Sequence, residues 1–308
     1  MGGYDSSMRG ETDGYPDPQR LVVVGHGGVA GVAESLGLVP GVTSLSEPPA
    51  STARSGAITV LVTDFADGAV PPISWLERLE SQDGLTLAVV AAPATAANLD
   101  PDTAREVARL RTAVDATVVI PPSYHREGIR SVVTTLHELI ARPGVINLDP
   151  ADVRTVLDGT EAAAITTGTA EPTGDVAVDA VTAVEQALAA PYTDVNGLGA
   201  VLVNVVGGTD LTLASAVEAV DGIQQSIPDE AVLIWGVAVE DGVSGVHAQV
   251  VASSEGTPAF DDVLSDARQP AAGDNCPRCG GHVAVYSLGD RETAACDDCG
   301  YSGTTTTL

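Results

Sequence analysis

Four short apolar runs, scarcely interrupted, recur along the first part of the chain: RLVVVGHGG at 20–28, GAITVLVT at 56–63, LTLAVVAA at 85–92 and TVVI at 117–120. A strand that is apolar on both faces must be covered on both faces, which is the condition of a central strand in a parallel sheet. Helix-like segments fill the intervals, at 29–36, 73–81 and 101–114. This alternation predicts an α/β layer of Rossmann-like type over residues 20–122. Residues 1–19, rich in Gly, Asp, Ser and Pro, are expected to form a disordered tail.

A helix follows. Ile129, Val132, Val133, Leu136, Leu139 and Ile140 recur at helical spacing, and Pro143–Gly144 stops the pattern. Residues 123–150 therefore read as a central helix with a loop after it. Beyond it the order is helix (151–157), strand (162–167), helix (175–189), strand (198–206), helix (212–226), then two strands (231–239 and 246–252). That order predicts a second α/β domain over 151–253 with its own core. Residues 254–274 carry Ser, Gly, Pro and acidic residues and read as a linker.

Composition excludes several chemistries. The formal charge is −28, and all 14 basic residues are Arg. Without a Lys there is no phosphate-loop lysine, no kinase strand lysine and no Schiff base to a carbonyl cofactor. So acidic a surface repels polyphosphate, which makes nucleic acid an unfavourable partner. At ~1 M salt the Debye length falls to about 3 Å, so such a surface suits a halophilic cytoplasm. No run of apolar residues is long enough to cross a bilayer. The N-terminus lacks the basic-then-apolar order of a secretory signal.

All four Cys fall in the last 33 residues, as Cys276-Pro-Arg-Cys279 and Cys296-Asp-Asp-Cys299, giving CxxC-x16-CxxC. Two such turns present four thiolates tetrahedrally to one zinc, and the Gly after each second Cys lets the turn close. The segment between them alternates like a hairpin. A zinc ribbon is predicted over 275–303, structural because four Cys leave no open coordination position. Acidic residues outnumber Arg278 and Arg291 around it, which favours a protein partner over nucleic acid. The five His are scattered and none is assigned a catalytic role.

The stretch from Leu136 to Gly208 carries the most information. It reads LHELIARPGVINLDPADVRTVLDGTEAAAITTGTA and later LGAVLVNVVGG, followed by TDLTLASAVEAV. Asn147, Asp149 and Asp152 form N-x-D-x-x-D at a helix start. Asp149 is a natural N-cap there, and the pair of carboxylates is equally suited to orienting a water. Both uses stay open. The stretch resembles FtsZ of the tubulin/FtsZ superfamily over about residues 130–253. That resemblance implies a GTP/GDP site in the first layer. It also implies that Asn147, Asp149 and Asp152 enter the nucleotide pocket of the next subunit and promote hydrolysis there.

The first layer departs from the family's pattern. Where FtsZ has its glycine–threonine phosphate loop, this chain reads DFADGAVPP after Thr63. Asp64 and Asp67 bring negative charge, and Pro71 and Pro72 remove backbone donors. Gly25, Gly27 and Gly28 keep a first glycine loop, and Arg126–Glu127 stand where the family has an Asn–Asp pair facing the guanine. Of that pair, Glu127 keeps a carboxylate able to contact a base. The expectation is a cytoplasmic, FtsZ-like subunit that joins or regulates FtsZ-type filaments through its acidic loop, with the ribbon binding another protein. The alternative is a divergent GTPase that self-associates and polymerises.

Overall fold

The computed structural model describes residues 21–50, 57–64, 70–91, 101–120, 125–157, 160, 162–189, 198–225, 227–254, 283–288, 291–296 and 302–305. The tail at 1–19, Asp67 and nearly all of the 254–274 linker lie outside them. The apolar runs become β1 (Leu21–Gly25), β3 (Ile58–Asp64), β4 (Leu85–Ala91) and β5 (Ala116–Ile120), all buried except at Gly25. A strand that the sequence reading did not anticipate, β2 (Val42–Leu45), pairs with the outer side of β1. Its four residues range from buried Val42 to exposed Leu45, too short and too mixed for periodicity to reveal. The helices of this half are α1 (Ala30–Leu36), α2 (Ile73–Glu80) and α3 (Pro101–Ala113).

The central helix α4 (His125–Ala141) turns into α5 (Pro150–Leu157) through an eight-residue loop, 142–149. Then come β6 (Ala162–Ala170), α6 (Val176–Leu188), β7 (Leu198–Gly207), α7 (Leu213–Gln224), β8 (Val232–Val239) and β9 (Val246–Ser254). The strands form one nine-stranded sheet in the order β2-β1-β3-β4-β5-β6-β9-β7-β8. The second α/β unit is thus continuous with the first, not a separate layer. The junction is narrow: β5 and β6 share one parallel residue pair, Val118 with Ala163. Only β9 runs antiparallel to its neighbours, β6 and β7.

The core explains the continuity. One apolar cluster runs under α1, α4 and α5 along a whole face of the sheet, from Leu21 to Val251. Ile129, Val133, Leu136 and Leu139 of α4 are at most 1% exposed. Each such side chain contributes roughly 1.5–3 kcal/mol by burial, so α4 binds both halves of the sheet. The opposite face is divided between α2 and α3 on one half and α6 and α7 on the other. A polar relay also crosses the sheet. Asn204 on β7 donates to Gln249 on β9 (2.9 Å), and Gln249 donates to Glu138 on α4 (2.7 Å).

Near the C-terminus, β10 (Val283–Leu288), β11 (Arg291–Cys296) and β12 (Ser302–Thr305) make a separate antiparallel sheet. The alternation between the two CxxC pairs is realised as β10 and β11. Cys276, Cys279 and Cys299 lie outside the described residues, and Cys296 ends β11 opposite Val283.

Candidate functional site

The order β2-β1-β3 creates a topological switch point. The chain leaves β1 toward β2 on one side and returns to β3 on the other, which opens a crevice at the carboxyl ends of β1 and β3. Gly25-His26-Gly27-Gly28 sits there. Gly27 has φ of +69°, in the left-handed region that favours glycine. At Gly25 an added Cβ would lie 2.7 Å from the Ala30 Cα, so strand and helix meet too closely for a side chain.

One backbone donor of this loop is already engaged by a carboxylate. Gly28 N–H donates to Oδ1 of Asp64 at 3.0 Å, and a Cβ on Gly28 would lie 2.7 Å from the other carboxylate oxygen. Asp64 ends β3 and is 7% exposed. Pro71 and Pro72, just before α2, offer no N–H. His26 anchors the loop from the other side: its backbone N–H donates to Val62 O at 2.8 Å, and its Nδ1 lies 3.3 Å from Thr63 Oγ1. The imidazole meets the Trp75 ring edge-on, centroids 5.5 Å apart. Burial pushes the His26 pKa below its ordinary value, while the negative charge of Asp64 works the other way. Sequence reasoning placed Asp64 near the loop but missed Thr63 and Trp75, because no spacing rule brings α2 onto the β1 turn.

Glu127 and Arg126 stand exposed in the first turn of α4. A carboxylate there suits the positive end of the helix dipole. One turn on, Arg130 donates to Ser35 Oγ at 3.3 Å and ties α4 to α1.

The acidic loop lies at the other end of α4, whose 17 residues span about 25 Å at 1.5 Å per residue. Val145 N–H and Ile146 N–H both donate to Val237 O (2.7 and 3.2 Å), and Val237 N–H returns to Ile146 O (3.1 Å). Gly144 is required here, since a Cβ would lie 2.4 Å from that same Val237 oxygen. Asn147 Oδ1 accepts from Gly144 N–H at 2.7 Å and closes the turn. Leu148 is buried over Gly236.

Asp149 caps α5. Its Oδ1 accepts from Ala151 N–H (2.7 Å) and Asp152 N–H (3.1 Å), and Asp152 Oδ2 accepts in return from Asp149 N–H (2.8 Å). This is a reciprocal capping box with Pro150 at the first helical position. Each carboxylate spends one oxygen on the cap. The other oxygen carries no bond among the described residues, and Asp149 is exposed. Capping and reaching outward are therefore compatible. Two arginines brace the loop: Arg142 pairs with Glu240 at 2.9 Å, and Arg154 donates to Asp83 O and Gly84 O, each at 3.1 Å.

Asp149→Ala is expected to lower stability by about 1 kcal/mol through loss of the cap. Asp149→Asn keeps an accepting oxygen and is expected to lose no more than a few tenths of a kcal/mol. Urea midpoints of the two variants measure this, and equal losses would mean that charge, not capping, is what the position contributes.

The crevice and the acidic loop thus sit at opposite ends of one helix and cannot meet on one ligand within a single molecule. They can meet only between molecules stacked head to tail.

Comparison with known proteins agrees with this architecture. The family model described as FtsZ family, C-terminal domain, matches residues 161–254. The cell division protein FtsZ of Methanothermobacter thermautotrophicus is 31% identical over 249 residues, covering 72% of this chain and 62% of that protein. FtsZ 1 of Archaeoglobus fulgidus is 34% identical over 193 residues, covering 56% of this chain and 51% of its own length. The chain therefore spans only about half to three-fifths of the curated relatives it matches. Among solved structures, the empty FtsZ dimer of M. jannaschii superposes with a TM-score of 0.57 at 20% identity, over 77% of this chain and 88% of that one. Residues 161–254 thus carry the C-terminal domain of the FtsZ family, and the nine-stranded fold is that of FtsZ/tubulin-type structures.

Proposed function

We propose that this chain is an atypical FtsZ-type subunit that regulates or caps filaments of FtsZ-type proteins in the cytoplasm. The reading rests above all on the bond from Gly28 N–H to Asp64. A carboxylate of the chain's own already accepts from the loop that a phosphate would need, and like charge opposes a triphosphate there. GTP or GDP is then a weak ligand of this chain. Asp149 and Asp152, with Asn147 shaping their turn, keep free carboxylate oxygens for use against a neighbour's nucleotide. Such a subunit docks its acidic end on a filament and offers no competent crevice to the next subunit.

The ribbon is the adaptor for another protein in this reading. Register supports a zinc site: the start of β10, the end of β11 and the start of β12 share one end of the small sheet, as Val283 pairs with Cys296 and Ala295 with Ser302. In the sequence Cys276 and Cys279 shortly precede β10, and Cys299 lies between β11 and β12. Four thiolates brought to that end would fit structural zinc and would supply no catalytic step.

Mixing the full chain with an FtsZ-type filament protein and GTP at high salt tests the proposal by sedimentation. Sub-stoichiometric addition is expected to change polymer mass or turnover, and Asp149→Ala with Asp152→Ala to cancel that change. Unchanged polymer with the intact chain would sink the reading. The free oxygens of Asp149 and Asp152 also suit a second reading, a self-polymerising GTPase. GTP hydrolysis by the chain alone, rising steeply with its concentration, would select that one.

A further inference from the structure

β8 is the last strand of the nine-stranded sheet, and half of it has no lateral partner among the described residues. Its sequence, VLIWGVAV, carries neither charge nor proline, the features that ordinarily blunt an edge. Backbone groups of alternate residues point to alternate sides of a strand. Val237 directs its N–H and C=O outward to Ile146, so Leu233 and Trp235 direct theirs outward as well. Neither has a hydrogen-bond partner on that side among the described residues. Val232 is 50% exposed, and Leu233, Ile234 and Trp235 are half-buried. The 144–146 segment covers the far half of the strand and stops there.

The surroundings say what kind of chain fits. Across residues 161–254 there are 13 Asp and Glu, one His, and no Arg or Lys. Asp229 and Glu230 flank the open half of β8, and Glu240 and Asp241 follow its other end. Of these, Glu240 is paired, with Arg142. A second copy of this chain would bring the same acidic surface to the contact and be repelled, whereas a basic segment is attracted.

We propose that the open half of β8, Val232–Trp235, is a docking edge for an extended segment of another protein, apolar at alternate positions and flanked by Arg or Lys. The segment adds one strand. Its backbone bonds to Leu233 and Trp235, and its flanking cations meet Asp229 and Glu230.

The probe is a short peptide of alternating Val and Thr with paired Arg at both ends, compared with the same peptide bearing Glu in place of Arg. Amide hydrogen exchange on the full chain is the readout. The Arg-flanked peptide is expected to slow exchange at Leu233 and Trp235 at least tenfold, and the Glu-flanked peptide to leave it unchanged. Leu233→Pro removes a donor that β7 does not use, so it is expected to abolish the protection. Asp229→Arg with Glu230→Arg, both exposed, keeps the test decisive should the proline disturb the fold: preference is expected to pass to the Glu-flanked peptide. No protection with the Arg-flanked peptide, equal protection by both, or a charge-swapped chain with unaltered preference would overturn the proposal. So would protection that grows with protein concentration and no peptide, because the occupant would then be a second copy.

Discussion

Stripping the proposed zinc from the full chain with a chelator is expected to melt β10–β12 and leave the nine-stranded body folded. The small sheet has three short strands of six, six and four residues. A core of that size does not hold a fold without a staple, and structural zinc contributes about 10–16 kcal/mol of apparent binding energy at neutral pH. Cys296 ends β11 at the end of the sheet where the metal is proposed. Cys296→Ser should therefore release the ion as completely as the chelator does. Elemental analysis is expected to find one zinc per chain, and amide exchange in β10 and β11 to become fast when it is removed. Protein that keeps β10–β12 folded without zinc, or a small sheet whose exchange ignores the chelator, would contradict the assignment.

The second large effect lies in the C-terminal half. Gly168 on β6 faces α6 with no room for a side chain: an added Cβ would lie 2.0 Å from Ala183 O and 2.7 Å from Ala187 N. Both contacts are helix backbone, which cannot rotate aside. Gly168→Ala must push α6 off the sheet, disturbing Ala180, Ala183, Val184 and Ala187, all at most 1% exposed. The cost is expected at about 3 kcal/mol, the upper part of the range for overpacking. The urea midpoint of the full chain measures it. A shift no larger than that of Gly174→Ala, where a Cβ meets nothing within 4 Å but φ is +96°, would show that α6 yields freely.

Most of the strand and helix order could be read from the sequence because fully buried strands need unbroken apolar runs. Leu85–Ala91 is an example, buried at every residue. The central helix was equally plain, since Ile129 through Ile140 keep helical spacing. What escaped is what periodicity does not encode. β2 has four residues of mixed exposure. The merging of two units into one sheet depends on a single pairing, Val118 with Ala163. At the candidate site the charge of Asp64 was legible, but its partner was not, because Gly28 is 36 residues away and only the β1–β3 pairing brings them together. For Asp149 the sequence left capping and reaching outward both open. The geometry gives one oxygen of each carboxylate to the cap, which shows why sequence could not choose.

The narrow seam between β5 and β6 has a mechanical consequence. Where every other junction in the sheet is laced by at least four residue pairs, this one has a single rung. Torsional stiffness across the molecule therefore comes from the apolar underside of α4 and from the Glu138–Gln249–Asn204 relay, not from the ladder. Twisting one half against the other therefore costs few backbone bonds, and α4 acts as the shaft that resists it.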